Sequence, residues 1–124
     1  MTHPQTPPIA EHAATAGTYH IVMLVKTARH WLDLSTEDRL RFFRDTLRPV
    51  LDQRPQVRFE MYECEAFNAD VTDILIWTTD DLTAWVWIAD HLRETAWWDH
   101  YVEIVSILPS IKADYWPVIE QLPA

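Results

Sequence analysis

Four side chains in this sequence are of types that take up and release protons beside apolar runs: Lys26, Glu65, Tyr62 and His20. Lys26 ends the apolar run Thr18-Tyr-His-Ile-Val-Met-Leu-Val-Lys-Thr27. A buried lysine has a lowered pKa and works as a base or imine former. The plainer reading is a lysine snorkelling from a strand end or paired with a carboxylate. His20 projects from the same run and can shuttle protons near neutrality; as a satisfied core or interface histidine it would do no chemistry. Tyr62 and Glu65 belong to Tyr62-Glu-Cys-Glu-Ala-Phe-Asn-Ala-Asp-Val-Thr-Asp-Ile74, a connector with four carboxylates around one Phe and neither Gly nor Pro. A carboxylate beside an apolar pocket has a raised pKa and serves as general acid or base. The alternative for Asn68, Asp70 and Asp73 is turn capping, with side-chain oxygens accepting backbone N–H bonds where glycine would otherwise make the turn.

A second set is suited to holding a ligand. Trp31, Phe67, Trp77, Trp87, Trp97 and Trp98 can wall a pocket for a planar apolar molecule, and Asp73 and His30 supply polar contacts at its mouth. Seven Trp in 124 residues is a high content. Indoles also fill cores and subunit interfaces, which is their commoner use.

Other chemistries find no support. His20, His30, His91 and His100 have no i,i+3 or i,i+4 pairing, and Cys64 is the lone cysteine, so no metal site is expected. A single glycine cannot build a phosphate-cradling loop, and no nucleophile elbow occurs. No bound cofactor is therefore expected. Haem is the exception that sequence leaves open, because one His or Lys ligand is enough to hold it. The formal charge of −9 argues against nucleic acid and against anionic membranes. No run is long and apolar enough to span a bilayer, and residues 1–17 lack the pattern of a signal peptide. With one unpaired cysteine, a cytoplasmic setting is expected.

Charge is unevenly spread. Eight of the ten basic residues fall between Lys26 and Arg58, while Phe59 to Leu92 has none and carries eight carboxylates. Two solvated faces explain this; so does self-association of a basic helix with an acidic edge.

The elements that must position these residues follow from periodicity. Residues 1–17 read as a disordered arm, 18–116 as one domain and 117–124 as a tail. The run 18–27 is a strand, apolar on both faces. Ser35-Thr-Glu-Asp38 opens a helix through Leu40, Phe43, Leu47 and Leu51, which Pro49 kinks or ends. Val57–Cys64 alternates as a strand, with Val57, Phe59 and Met61 on one face and Arg58, Glu60 and Tyr62 on the other. Asp73–Thr78 is the next strand, and Asp80 or Asp81 caps a second helix with Leu82, Trp85, Ile88 and Leu92 on its apolar stripe. Tyr101–Leu108 is the fourth strand, ended by Pro109. The order βαββαβ is the ferredoxin-like α+β plan: an antiparallel sheet with the first and third strands central and both helices on one face. An apolar first strand then leaves the other face in need of a lid. A second copy supplies it, giving a homodimer of the α/β-barrel type.

The runs Val25–Leu34 (VKTARHWLDL), Leu47-Arg-Pro-Val50, Tyr62–Ala69 with Thr72-Asp-Ile74, and His91–Val105 with Ile107-Leu-Pro-Ser-Ile111 resemble the darcynin family, over roughly residues 19–116. This resemblance implies a small ferredoxin-like protein of the dimeric α/β-barrel type. It supplies no catalytic residue, the family being a domain of unknown function. Where the family pattern has Phe-Phe and then Pro-Tyr-Phe, this chain has Trp97-Trp98 and His100-Tyr101-Val102, which implies a changed pocket.

Similar barrels include cofactor-free monooxygenases, muconolactone-type isomerases, polyketide cyclases and haem proteins. By that analogy the chain is expected to be a small cofactor-independent enzyme acting on a hydrophobic, aromatic or polyketide-like metabolite by acid/base chemistry. A non-catalytic binding or assembly protein is the alternative.

Overall fold

A computed structural model describes residues 17–124. The expected arm over residues 1–17 lies outside the described residues except for Gly17, whose φ of 59° is a conformation that suits glycine.

Strand β1 (Tyr19–Thr27) is followed by a single turn, α1 (Arg29–Leu32), and then by α2 (Thr36–Phe42). The Ser35 hydroxyl accepts from the Asp38 N–H at 3.1 Å, and Glu37 and Asp38 sit in the first turn, so α2 starts where its capping residues dictate. A π-helical turn (Phe43–Leu47) then leads into α3 (Arg48–Asp52). Pro49 lies in the first turn of α3. Proline cannot donate to the preceding turn and its ring crowds the carbonyl there, and the widened turn accommodates both. The helix therefore continues past Pro49 and ends at Asp52.

Strands β2 (Arg58–Glu63) and β3 (Asp73–Thr79) form a hairpin, and α4 (Leu82–Leu92) follows. Asp81 caps α4, its Oδ1 accepting from the Ala84 N–H at 3.1 Å. Strand β4 (Val102–Ile111) and a single turn, α5 (Trp116–Ile119), complete the chain. β4 runs through Pro109, which pairs with Ile21, instead of ending there. It can do so because β4 is an edge strand, where every second N–H points away from the sheet.

The sheet order is β2-β3-β1-β4, all antiparallel, with the first and third strands central as βαββαβ connectivity requires. Odd-numbered residues of β1 and β3 face the helices. Ile21, Met23, Val25, Leu75 and Trp77 form one core with Ala84, Ile88 and Leu92 of α4 and with Leu47. The other face carries Val22, Leu24, Ile74 and Ile76, all half-buried and none part of that core, with Leu108 exposed. β1 is thus apolar on both faces but fully buried on only one within the single chain. Among the described residues no helix is long and apolar enough to cross a membrane.

Candidate functional site

The helical stretch Thr36–Asp52 does not close down on the sheet along its whole length. It leaves a cavity of about 490 Å³ lined by Leu40, Phe43, Leu47, Phe59, Trp77 and Trp97, among others. A second space of about 290 Å³ shares Leu40, Phe43, Met61, Leu75 and Trp97 with it, so the two adjoin. The smaller one continues toward the β2–β3 turn, past Trp31, Thr72, Asp73, Glu63 and Glu65. The strand residues locate the two ends. Phe59 and Trp77 stack at 4.5 Å in the larger space, while Glu63 and Asp73 lie four residues along each strand, ~13 Å at the ordinary rise.

Two indoles of the wall are held from outside it. Thr95 Oγ1 accepts from the Trp97 N–H, and the Trp97 carbonyl accepts from the Val102 N–H at 3.0 Å. This loop contains Asp99 at φ 71°, a left-handed conformation that Asp tolerates better than most residues. Trp31 meets Phe42, Phe43 and Tyr101 edge to face, and the Arg39 guanidinium near its ring donates to the Trp31 and Leu32 carbonyls.

The acidic end is built by strand register. Glu63 stands directly opposite Asp73, and Glu65 follows in the turn; their carboxylate oxygens come within 4.8 Å of one another. Among the described residues no cation forms a salt bridge with any of the three. Glu63 and Glu65 are exposed, as solvated acidic groups ordinarily are, and nothing in the cluster marks it as a metal centre. Asp73 differs from them. It is half-buried, and burial pushes its carboxyl above the usual carboxylate range. The Thr72 hydroxyl opposes that rise, and the Glu65 charge adds to it. The neighbouring Cys64 thiol is pushed up by burial and by the Asp73 and Glu65 charges, and its Sγ–H donates to the Val71 carbonyl, so it is a poor nucleophile.

The turn is made as Asx chemistry predicts for Asn68. Its Oδ1 accepts from the N–H groups of Asp70 (2.8 Å) and Val71 (3.0 Å). Asp73 takes no such capping role; its carboxylate bonds to Thr72.

The sequence-derived residues fall into three groups. Glu65, Asp73, Trp31 and Trp77 line the cavities. Lys26, Tyr62 and His20 lie on the opposite face of the sheet. Lys26 is exposed and paired in register with Glu103. Tyr62 donates to Glu60, a bond that raises the phenol pKa. His20 Nδ1 sits 3.3 Å from the Thr78 hydroxyl. The third group lines neither cavity: Phe67 is 90% exposed at the turn tip, Trp98 packs against Trp97 under Arg93, and His30 stacks on His100 at 4.3 Å. Leu40, Phe43, Met61 and Thr72 were not singled out from the sequence as pocket residues, whereas Trp97 was, as one of several indoles. Met61 was legible, since it shares the apolar face of β2 with Phe59.

Haem needs an axial donor on the wall. No His, Lys, Cys or Tyr lines either cavity, and Met61, which lines both, is the one wall residue of a type that ligates haem iron.

The fold and the cavity define a ferredoxin-like α+β domain with an apolar cleft between helix and sheet. The sequence matches Darcynin, a domain of unknown function, over residues 4–120, and the chain belongs to that family. A Darcynin homolog of Streptomyces avermitilis is 37% identical over 94 residues, covering 75% of this chain and 78% of that protein. One from Granulibacter bethesdensis is 34% identical over 115 residues, covering 92% and 89%. Among solved structures, chlorite dismutase from Candidatus Nitrospira defluvii in complex with imidazole superposes with a TM-score of 0.68 at 14% identity. That match takes in 86% of this chain but 44% of the dismutase, so the likeness is one of fold and the chain spans less than half of that structure.

Proposed function

We propose that this protein is a small enzyme that binds a planar hydrophobic metabolite, aromatic or polyketide-like, between the helical stretch and the sheet. It moves a proton on that ligand without a cofactor, as an isomerase or cyclase does at a carbon beside a carbonyl. The observation that carries this reading is Asp73, a half-buried carboxyl with a raised pKa on the wall of an apolar, Trp-lined cavity. A carboxyl raised by burial above the usual range is better suited than an exposed one to take up and return a proton. Glu65 is the second group within reach, and Trp31, Trp77 and Trp97 shape the space.

The test is hydrogen–deuterium exchange at the α-carbon of 2-tetralone in D2O, followed by proton NMR. Wild type accelerates exchange, Asp73→Asn returns it to the buffer rate, and Lys26→Met on the other face leaves it unchanged. Exchange at the buffer rate in wild type, or equal exchange in wild type and Asp73→Asn, contradicts the reading. The competing view, binding without catalysis, predicts quenching of Trp fluorescence by 2-tetralone with no exchange.

The second sheet face supports a homodimer. Val22, Leu24, Ile74, Ile76 and Leu108 form an apolar strip flanked by Lys26 and Arg58 and by Glu60 and Glu103. Both signs at the rim let a two-fold copy set opposite charges against each other. Sedimentation should show a dimer that Ile76→Lys dissociates; a monomeric wild type rejects it.

A further inference from the structure

The β1–β3 ladder ends at Val25 paired with Asp73, and the next link is made by a side chain. Thr72 Oγ1 accepts from the Thr27 N–H at 2.8 Å, while the Thr72 N–H donates to the Val25 carbonyl at 2.9 Å. With one lone pair of the hydroxyl committed to Thr27, its single proton has two acceptors in reach. Asp73 Oδ2 lies at 2.8 Å and the Val25 carbonyl at 3.4 Å. Among the described residues no other group donates to the Asp73 carboxylate.

We propose that Thr72 is the positioning residue for Asp73, a hydroxyl rotor that satisfies the carboxyl in both of its protonation states. When Asp73 is ionised, the hydroxyl donates to Oδ2. When Asp73 holds a proton on Oδ2, that proton is donated to Thr72 Oγ1, and the hydroxyl proton turns to the Val25 carbonyl. The oxygen then accepts from Thr27 and Asp73 and donates once, which is the full capacity of a hydroxyl. No atom other than hydrogen moves, so the carboxyl keeps one orientation through a cycle of proton uptake and release. Without such a partner the covered side of this half-buried carboxyl would lack a protein hydrogen bond in one state. The other charged or titratable groups at this end are Glu63 from β2, Glu65 and Cys64 from the turn and Arg39 from α2, whose guanidinium is already held by two carbonyls.

The inference rests on the role proposed for Asp73, and the two fail separately. Carboxyl carbon shifts of Asp73 are followed by NMR against pH in wild type, Thr72→Ser and Thr72→Val, with 2-tetralone exchange measured on the same samples. The hydroxyl bond favours the ionised form. The Asp73 midpoint therefore moves to higher pH in Thr72→Val and back toward wild type in Thr72→Ser, and the pH profile of exchange moves with it. An Asp73 midpoint equal in all three proteins overturns the role of Thr72, even if Asp73→Asn abolishes exchange. Should Thr72→Val fail to fold, wild type alone decides. The Thr27 amide proton shares the Thr72 oxygen, so its shift must titrate with the Asp73 midpoint, and an amide that does not move overturns the rotor. Loss of the Asp73 role itself would show as exchange unaffected by Asp73→Asn while the midpoints still shift.

Discussion

The two faces of the sheet carry similar polar residues and give them different chemistry. On one face Asp73 and Glu65 border an apolar cleft; on the other Lys26, His20 and Tyr62 flank a half-buried aliphatic strip that lies outside the core. The same strands supply both sets, because successive side chains point to opposite sides. The covering helix makes the difference. It removes solvent around Asp73 and pushes its carboxyl up. Tyr62, turned the other way, finds Glu60, which holds it in its neutral form. Residue type alone therefore does not mark a site; the covered face does.

The largest expected contrast is in stability. Trp77 is 1% exposed on the covered face, whereas Ile76 beside it is half-buried on the other. Trp77→Ala should cost about 3–5 kcal/mol in urea unfolding, as large aromatic truncations in cores do. Ile76→Ala should cost about 1 kcal/mol, in keeping with partial burial. Equal costs would mean the second face is covered as completely as the first.

A smaller effect separates the faces by pH. The folded-state pKa of Asp73 is raised, so between the ordinary carboxylate value and the raised one the folded protein binds more proton than the unfolded chain. Its contribution to stability is therefore lost as pH rises through that window. Asp73→Asn should remove this decline, giving urea midpoints closer to wild type in acid than at neutral pH. Glu60→Gln on the other face should leave the decline in place. An unchanged slope in Asp73→Asn would show that its environment is no drier than that of Glu60.

The smallest effect belongs to the outer surface of the helix. Arg41 pairs with Glu37 and Asp38, and all three are exposed. Arg41→Ala should cost no more than about 0.5 kcal/mol, less still in high salt. A loss above 1 kcal/mol would mean that these pairs help to hold the cleft open.

Much of the fold was legible because period-two alternation in β2 and the caps at Ser35 and Asp81 are local signals. Pro49 and Pro109 show where local reading stops. A proline that ends an isolated helix or strand is tolerated beside a π turn or on a sheet edge, and both contexts are set by tertiary structure. The candidate site was half legible, in the sense of which residues line the cleft. Glu65 and Asp73 were found because they flank one turn, but β1 is apolar on both faces, so its alternation could not say which face the helices take. The alternation of β2 held the answer: Tyr62 shares its polar face with Arg58 and Glu60, away from Phe59 and Met61. Thr72 left no signal of its own, and Trp97 stood out only as one indole among several. Thr72 matters through a bond to Thr27, 45 residues away, and Trp97 through a loop that turns it inward.

The claim that the ligand site lies on the helix-covered face is tested most directly by mapping amide and methyl shift changes on titration with 2-tetralone. The account predicts that the largest changes fall on Leu40, Met61, Leu75, Asp73 and the Trp97 indole, with Val22, Leu24 and Ile76 unmoved. Changes centred on Val22, Leu24, Lys26 and Ile76, with the cleft residues still, would contradict it.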